Sequence, residues 1–189
     1  MQKILILLLV LLGVQFVSAQ TSAVPAPTPN GLPEVYSPLV QFTIINDKNE
    51  ILMRKTEYGW MTPAQRFYSK QNIHEFLTDL AGKYGVKTSS PKLAGLLTYK
   101  YTFKSNGDTR LFFVARYKEG KIVSPKGEEV VWLPKKEAIE KLRSTVESLG
   151  TTTNQVLSYP KTIWGGSFLL DVINGKLKSQ VDEDFYPIN

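Results

Sequence analysis

Hydrophobic and polar residues change period along this chain, and the changes predict where strands and helices lie. Residues 40–45 and 50–54 are apolar-rich runs separated by polar residues 46–49, a pattern that predicts two strands joined by a turn. Farther on, apolar residues recur at spacings of three and four: Ile73, Phe76, Leu77, Leu80, Ala81 and Tyr84. This spacing places them on one face of a helix, and Gly85 follows as a C-terminal cap.

The middle of the chain returns to a strand pattern. Residues 92–104 and 109–118 are strand-like runs that flank residues 105–108, where Asn-Gly is typical of a hairpin turn. Tyr99, Tyr101 and Phe103 share one face of the first run. Aromatic stripes of this kind stack nucleobases in some proteins, but they more often pack a sheet against a helix.

The last part of the chain predicts one more strand and two more helices. Residues 128–133 form a strand-like run, and Pro134 begins a helix that continues through Ala138, Ile139 and Leu142. A third helix is predicted over residues 163–173, with two consecutive glycines near its start. The order of elements predicts an α+β domain in which helices pack against a mixed sheet.

The N-terminal residues predict export. Lys3 precedes an unbroken apolar run over residues 4–14, followed by Val17, Ser18 and Ala19, which is typical of a signal peptide over residues 1–19. The alternative, an uncleaved anchor, needs about 20 apolar residues. Since the chain has no cysteine, it has neither a disulfide framework nor a lipid-modified cysteine. We expect a periplasmic or secreted protein with no membrane span after cleavage.

Prolines separate the signal peptide from the predicted domain. Residues 20–38 carry Pro25, Pro27, Pro29, Pro33 and Pro38 among small residues, a composition that favours an extended tether. We assign residues 39–150 to one domain and residues 151–189 to a C-terminal extension packed on it.

Charge and motifs exclude several functional classes. The chain has a formal net charge of +6, but its lysines are scattered among acidic residues, so the charge predicts no nucleic-acid partner. The sequence has no glycine-rich phosphate loop and no zinc spacing. Its only histidine, His74, lies in the predicted first helix without a nucleophile beside it.

One segment resembles the Nudix box, G-x5-E-x7-R-E-U-x-E-E-x-G-U, in which U is apolar. Ala64 stands at the first glycine, Lys70 at the glutamate after five residues, and residues 78–86, TDLAGKYGV, at the final run. The order of the surrounding strands is similar over residues 40–142. The resemblance implies a Nudix-like fold, in which a mixed sheet is packed between helices as an α/β/α sandwich.

The same resemblance implies a Mg²⁺- or Mn²⁺-dependent pyrophosphohydrolase, but the residues that carry this chemistry are replaced. The paired metal-binding glutamates correspond to Gly82 and Lys83, the upstream glutamate to Lys70, and the arginine to Thr78. Only Asp79 keeps a carboxylate at a matching position. Magnesium is held by few protein carboxylates together with water and phosphate, so these losses predict little hydrolysis and no required cofactor.

The sequence therefore favours a ligand-binding or interaction module over an enzyme. Lys70 and Lys83 are candidate ligand-binding residues, because their charges would replace that of the metal for a small anionic or phosphorylated ligand. Equally, both lysines could simply be solvated. A protein partner, spaced from the domain by the tether, is a further possibility.

The alternative is a divergent hydrolase of a nucleoside diphosphate derivative. In that case Asp79 and Glu75 are the catalytic candidates, and Asp79, Glu128 and Glu129 are candidate ligands for Mg²⁺ or Mn²⁺. The competing interpretation is that Glu75 is a solvated helix residue and that Glu128 and Glu129 lie at a sheet edge.

Overall fold

The chain leaves its proline-rich segment and enters the first strand of a large mixed sheet. A computed structural model of the protein describes residues 37–67 and 70–189. The predicted signal peptide, residues 1–19, and nearly all of the predicted tether lie outside these residues. At the start of the described part, the Phe67 amide donates a hydrogen bond to the Pro38 carbonyl (3.0 Å).

The described residues form ten strands and three helices. The strands are β1 (Leu39–Ile45), β2 (Glu50–Thr56), β3 (Gly59–Met61), β4 (Ala64–Arg66), β5 (Val86–Thr88), β6 (Lys92–Tyr101), β7 (Asp108–Gly120), β8 (Glu129–Pro134), β9 (Trp164–Ile173) and β10 (Lys176–Pro187). The helices are α1 (Ile73–Gly82), α2 (Lys135–Thr145) and α3 (Glu147–Ser158).

Strand pairing gives the sheet its mixed character. The strands follow the order β10-β9-β6-β7-β1-β2-β3, with β4 paired to β1, β5 to β7 and β8 to β2. The pairs β1–β7 and β6–β9 are parallel, and the other pairs are antiparallel. Parallel neighbours need long crossover connections, and here the crossovers carry the helices.

Helices cover both faces of this sheet. The apolar stripe of α1, including Phe76, Leu77 and Leu80, packs with Val40 and Phe42 of β1 in one buried cluster. A second cluster on the other face joins α2 and α3 to β2, β6 and β9, and includes Leu142, Leu149, Met53, Leu97 and Phe168. The predicted α/β/α arrangement is confirmed, and α1 lies where its periodicity predicts.

The predicted third helix over residues 163–173 is wrong, because these residues form β9. Its register pairs Gly95 with Trp164 and Tyr99 with Phe168, so backbone hydrogen bonds to β6 replace helical ones. The pattern also misses helix α3, the long strand β10 and the short strands β3, β4 and β5. Most of α3, together with β9 and β10, comes from the segment that the sequence assigns to a C-terminal extension.

Smaller differences concern the β6–β7 connection. β6 ends at Tyr101, so Phe103 lies beyond the strand and is exposed. Tyr99 is fully buried and Tyr101 is half-buried, with its ring centroid 5.4 Å from that of Phe103. Tyr99 pairs with Asp108, so the turn is longer than a tight Asn-Gly hairpin.

Candidate functional site

The segment that resembles the Nudix box folds as a short strand, a connection and a capped helix. β4 lies beside β1, with Gln65 opposite Val40. Asn72 is the N-cap of α1: its side-chain oxygen accepts a hydrogen bond from the Glu75 amide (2.9 Å). The Glu75 carboxylate in turn accepts one from the Asn72 amide (3.3 Å). Glu75, a catalytic candidate, thus completes a capping box, a contact that stabilises the first turn of a helix.

Asp79, the one carboxylate retained in the box, lies one turn after Glu75 on α1. Its Oδ2 atom accepts a hydrogen bond from Gln71 Nε2. Asp79 is exposed, and Gln71 is half-buried. Asp79 is therefore engaged by a neutral side chain from its own segment.

Gly82 and Lys83 occupy the positions of the paired box glutamates at the end of α1. The Lys83 ammonium donates a hydrogen bond to Gln65 Oε1 on β4. Gly82 is exposed, and a Cβ built on it meets no atom within 4 Å. Its φ is not positive, so the fold has room for a carboxylate side chain at position 82 that the sequence does not supply. Lys70 is exposed at the start of the connection to α1.

Glu128 lies in a half-buried ion pair. Its Oε1 atom is 2.8 Å from Arg54 Nη1, with side-chain exposures of 20% and 16%. Glu128 Oε2 and Arg54 Nε are buried without a hydrogen-bond partner among the described residues. Burial is the main cause that raises the pKa of the neighbouring Tyr84, with Arg54 acting against the rise and Glu128 adding to it. A buried guanidinium requires a counter-charge, and Glu128 provides one.

Glu129, the last metal-ligand candidate, points to a different cation. Its carboxylate is 4.0 Å from the Lys55 ammonium, and both side chains are more than half exposed. Glu129, the first residue of β8, pairs in register with Lys55, whereas Glu128 precedes the strand and reaches Arg54. The structure pairs each predicted carboxylate with a neighbour of its own.

A second polar cluster, which the sequence did not single out, joins β4, β6 and β7. The Asp108 carboxylate accepts a hydrogen bond from the Tyr101 hydroxyl (2.6 Å) and lies 3.0 Å from Arg66 Nη2 and 3.3 Å from Lys104 Nζ. Burial favours the neutral acid, but these hydrogen bonds and the two cations outweigh it and hold the pKa of Asp108 below its usual value of 3.8. The cluster fixes the β6–β7 connection against β4.

These contacts decide whether the described residues can hold a divalent metal ion. Within residues 37–67 and 70–189, no three His, Asp or Glu side chains come together where they could hold a metal ion. Magnesium prefers oxygen ligands in near-octahedral geometry, and Lys83 lies where the resemblance places a ligand. The described residues therefore do not fit the metal centre that the resemblance implies.

Within residues 37–67 and 70–189, no helix has both the length and the apolarity to cross a membrane.

Arg54 is the site residue that sequence reasoning missed. It is the last residue of a predicted strand and lies 74 residues from its partner Glu128. A lone arginine at a strand end carries no signal of pairing, because the β2–β8 register that aligns Arg54 with Val130 is a tertiary feature.

Comparisons with known proteins give the fold. No family model matches the sequence, and no curated protein matches it significantly. Among solved structures, the chain is similar to the mutator MutT protein from Bacillus halodurans, with 15% identity, a TM-score of 0.61, and coverage of 76% of this chain and 96% of that one. It is also similar to a UDP-X diphosphatase, with 14% identity, a TM-score of 0.53, and coverage of 75% and 70%. These likenesses confirm a Nudix-like fold.

Proposed function

We propose that this chain is an exported Nudix-fold protein that has lost metal-dependent pyrophosphohydrolase activity and acts as a ligand-binding or interaction module. The observation that carries the proposal is the contact between Lys83 and Gln65. A cation in this contact occupies the place where the resemblance puts a metal-binding carboxylate. Its charge repels a divalent ion and is available to an anion.

The remaining acids support the same conclusion, because each has a structural role. Glu75 caps α1, Glu128 balances Arg54, and Asp79 accepts a hydrogen bond from Gln71. A metal would have to displace these contacts before it gained any ligand. That cost adds to the loss of the paired glutamates.

We call the exposed surface of residues 70–86 that carries Lys70 and Lys83 the box face. The ligand proposed for the box face is a small anionic or phosphorylated molecule, with these two lysines supplying positive charge. The support is that both lysines belong to the box and that Lys83 is exposed at the end of α1. A test is calorimetric titration of the protein with a panel of nucleoside diphosphates in chelator. Lys83→Ala should weaken the binding about tenfold, because a hydrogen bond to a charged group contributes about 1.5–3 kcal/mol. Equal affinity of the two proteins would contradict charge replacement.

Export is proposed from the leader alone. The apolar run over residues 4–14 and the small residues up to Ala19 support cleavage after that residue. N-terminal sequencing of the protein recovered from outside the cytoplasm should begin at Gln20. An intact Met1, or retention in the cytoplasm, would contradict this part of the proposal.

The alternative function is a divergent hydrolase of a nucleoside diphosphate derivative, for which the similarity in fold to a UDP-X diphosphatase is the support. It would use Asp79 and Glu75, with Glu128 or Glu129, to hold Mg²⁺ or Mn²⁺. Metal-dependent cleavage that Asp79→Ala abolishes would establish this alternative.

Restoring the box tests the reason for the loss. Gly82→Glu/Lys83→Glu returns both acids to the end of α1, where a Cβ at position 82 meets no atom within 4 Å, and Asp79 already stands one turn earlier. We expect calorimetry to detect Mn²⁺ binding by this variant and none by the parent. Lys176→Glu/Lys178→Glu, on exposed positions of β10, controls for added negative charge. Equal Mn²⁺ binding by parent and restored variant would show that the replacements at residues 82 and 83 are not what removed the metal.

A further inference from the structure

Two adjoining cavities lie at the end of the sheet where β1 turns into β2. The outer one, of about 590 Å³, lies between this turn, the start of α2 and Asn154 of α3. The inner one, of about 260 Å³, is lined by apolar side chains that include Ile45, Val114 and Val156. Asn49 and Lys135 line both cavities, so the two form one continuous groove, which we call the α2 groove.

Cations outnumber acids around the α2 groove. Six basic residues line it: Lys48, Lys92, Arg116, Lys135, Lys136 and Arg143. Two acids, Glu50 and Glu140, line the outer cavity, and no acid lines the inner one. The Glu50 carboxylate already accepts a hydrogen bond from Asn46 Nδ2 (2.8 Å). The surplus of positive charge in a concave surface raises the local electrostatic potential.

Three lysines that line the outer cavity lack counter-charges. Among the described residues, Lys48, Lys135 and Lys136 have no carboxylate within 4.0 Å. Arg143, by contrast, lies 3.5 Å from Glu147. Lys135 is half-buried, so its ammonium is partly removed from water without a compensating acid. Such a group gains from an anionic partner.

The local backbone adds to this preference. Lys135 and Lys136 begin α2, where the helix dipole already presents positive charge and acids are the favoured residues. Pro134, the N-cap, makes no side-chain capping hydrogen bond. The acid of the first turn, Glu137, is engaged 3.6 Å from Lys141. An anion in the outer cavity would satisfy the lysines and the helix terminus together.

We propose that the α2 groove binds a small organic anion, with a phosphate or carboxylate held at Lys135, Lys48 and Lys136 and an apolar body in the inner cavity. This site is separate from the box face. Val40 of β1 pairs with Gln65, and Ile45 at the other end of β1 lines the groove. Five residues of strand span about 17 Å, which keeps the two sites at opposite ends of β1.

Octyl phosphate is a suitable probe because it joins a phosphate to a flexible apolar chain. Calorimetric titration of residues 20–189 should show saturable binding of octyl phosphate, tighter than that of inorganic phosphate or of octyl glucoside, which has the same chain without charge. Lys135→Ala should raise the Kd about tenfold or more, as expected for loss of a hydrogen bond to a charged group. Lys136→Ala is a second variant, and Lys176→Ala on exposed β10 is the control that should leave the Kd unchanged.

Three results would overturn the proposal. One is no binding of octyl phosphate at millimolar concentration by protein whose circular dichroism shows it folded. Another is equal affinity for octyl glucoside, which would mean that charge has no role. The third is a Kd that changes with Lys83→Ala and not with Lys135→Ala, which would move the anion to the box face and leave the proposed function standing without this groove.

Discussion

Two glycines of the box-like segment, Gly82 and Gly85, should respond to alanine in opposite directions. Gly82 ends α1 without a positive φ, and a Cβ added to it would have no atom within 4 Å. Gly85, three residues later, has a φ of +73°, and a Cβ there would lie 2.2 Å from the Lys121 carbonyl oxygen. Gly82 stands where the resemblance places a metal-binding glutamate, whereas Gly85 adopts a backbone conformation that favours glycine.

The magnitudes follow from helix propensity and backbone sterics. Gly82→Ala should stabilise the protein by about 0.5–1 kcal/mol, because alanine loses less backbone entropy in a helix. Gly85→Ala should destabilise it by about 3 kcal/mol, of which about 1–2 kcal/mol comes from the left-handed conformation and the rest from the clash. In a domain of this size, each 1 kcal/mol shifts the Tm by about 2–4 °C.

Thermal unfolding followed by circular dichroism, with urea titration for the free energies, measures both effects. Gly175→Ala is the matched control, because Gly175 has a φ of +71° but no atom within 4 Å of the added Cβ. The loss of stability in Gly175→Ala should therefore measure the cost of the left-handed backbone conformation without a steric clash. A Gly85→Ala protein no less stable than Gly175→Ala, or a lower free energy of unfolding in Gly82→Ala, would contradict these predictions.

Two further predictions concern the polar clusters. A double-mutant cycle with Arg54→Met and Glu128→Gln, read by urea unfolding, should give a coupling of about 2 kcal/mol, because the pair is half-buried; a coupling near zero would refute the structural role of Glu128. Since the pKa of Asp108 is lowered in the folded state, its contribution to stability is present above the unfolded pKa and is lost as pH falls through the folded one. The parent should therefore lose more stability than Asp108→Asn between about pH 4 and pH 2, and parallel losses would contradict this.

Three elements in the first half of the fold, β1, β2 and α1, could be predicted because their signals are local. The apolar runs of β1 and β2 flank a polar turn, and the stripe from Ile73 to Tyr84 matches the buried face of α1. These elements need no knowledge of distant partners.

The segment that follows α2 could not be predicted, because tertiary contacts override its local preferences. α3 contains Gly150 and a run of three threonines, which are poor helix formers. Packing holds it in place: a Cβ on Gly150 would lie 2.3 Å from Arg143 Cγ in α2, and Thr152 is fully buried. β9 is buried over Gly165–Phe168, and a short buried run does not distinguish a strand from a helix.

The candidate site was predictable in position but not in its contacts. Spacing alone places Glu75, Asp79 and Lys83 along α1. The acceptor for Lys83 comes from β4, and Glu128 meets Arg54 across the β2–β8 region. These partners depend on strand register, which no periodicity specifies. The α2 groove could not be predicted for a related reason. Its cations come from separate segments of the chain, and only the tertiary fold brings them together.

Mass-spectrometric detection of products tests the central claim, the loss of hydrolysis, most directly. Residues 20–189 would be incubated with a panel of nucleoside diphosphate derivatives in Mg²⁺, in Mn²⁺ and in chelator, with Asp79→Ala in parallel. We expect no metal-dependent product from folded protein. Product that requires metal and disappears in Asp79→Ala would contradict this expectation and establish a hydrolase that works with a reduced set of carboxylates.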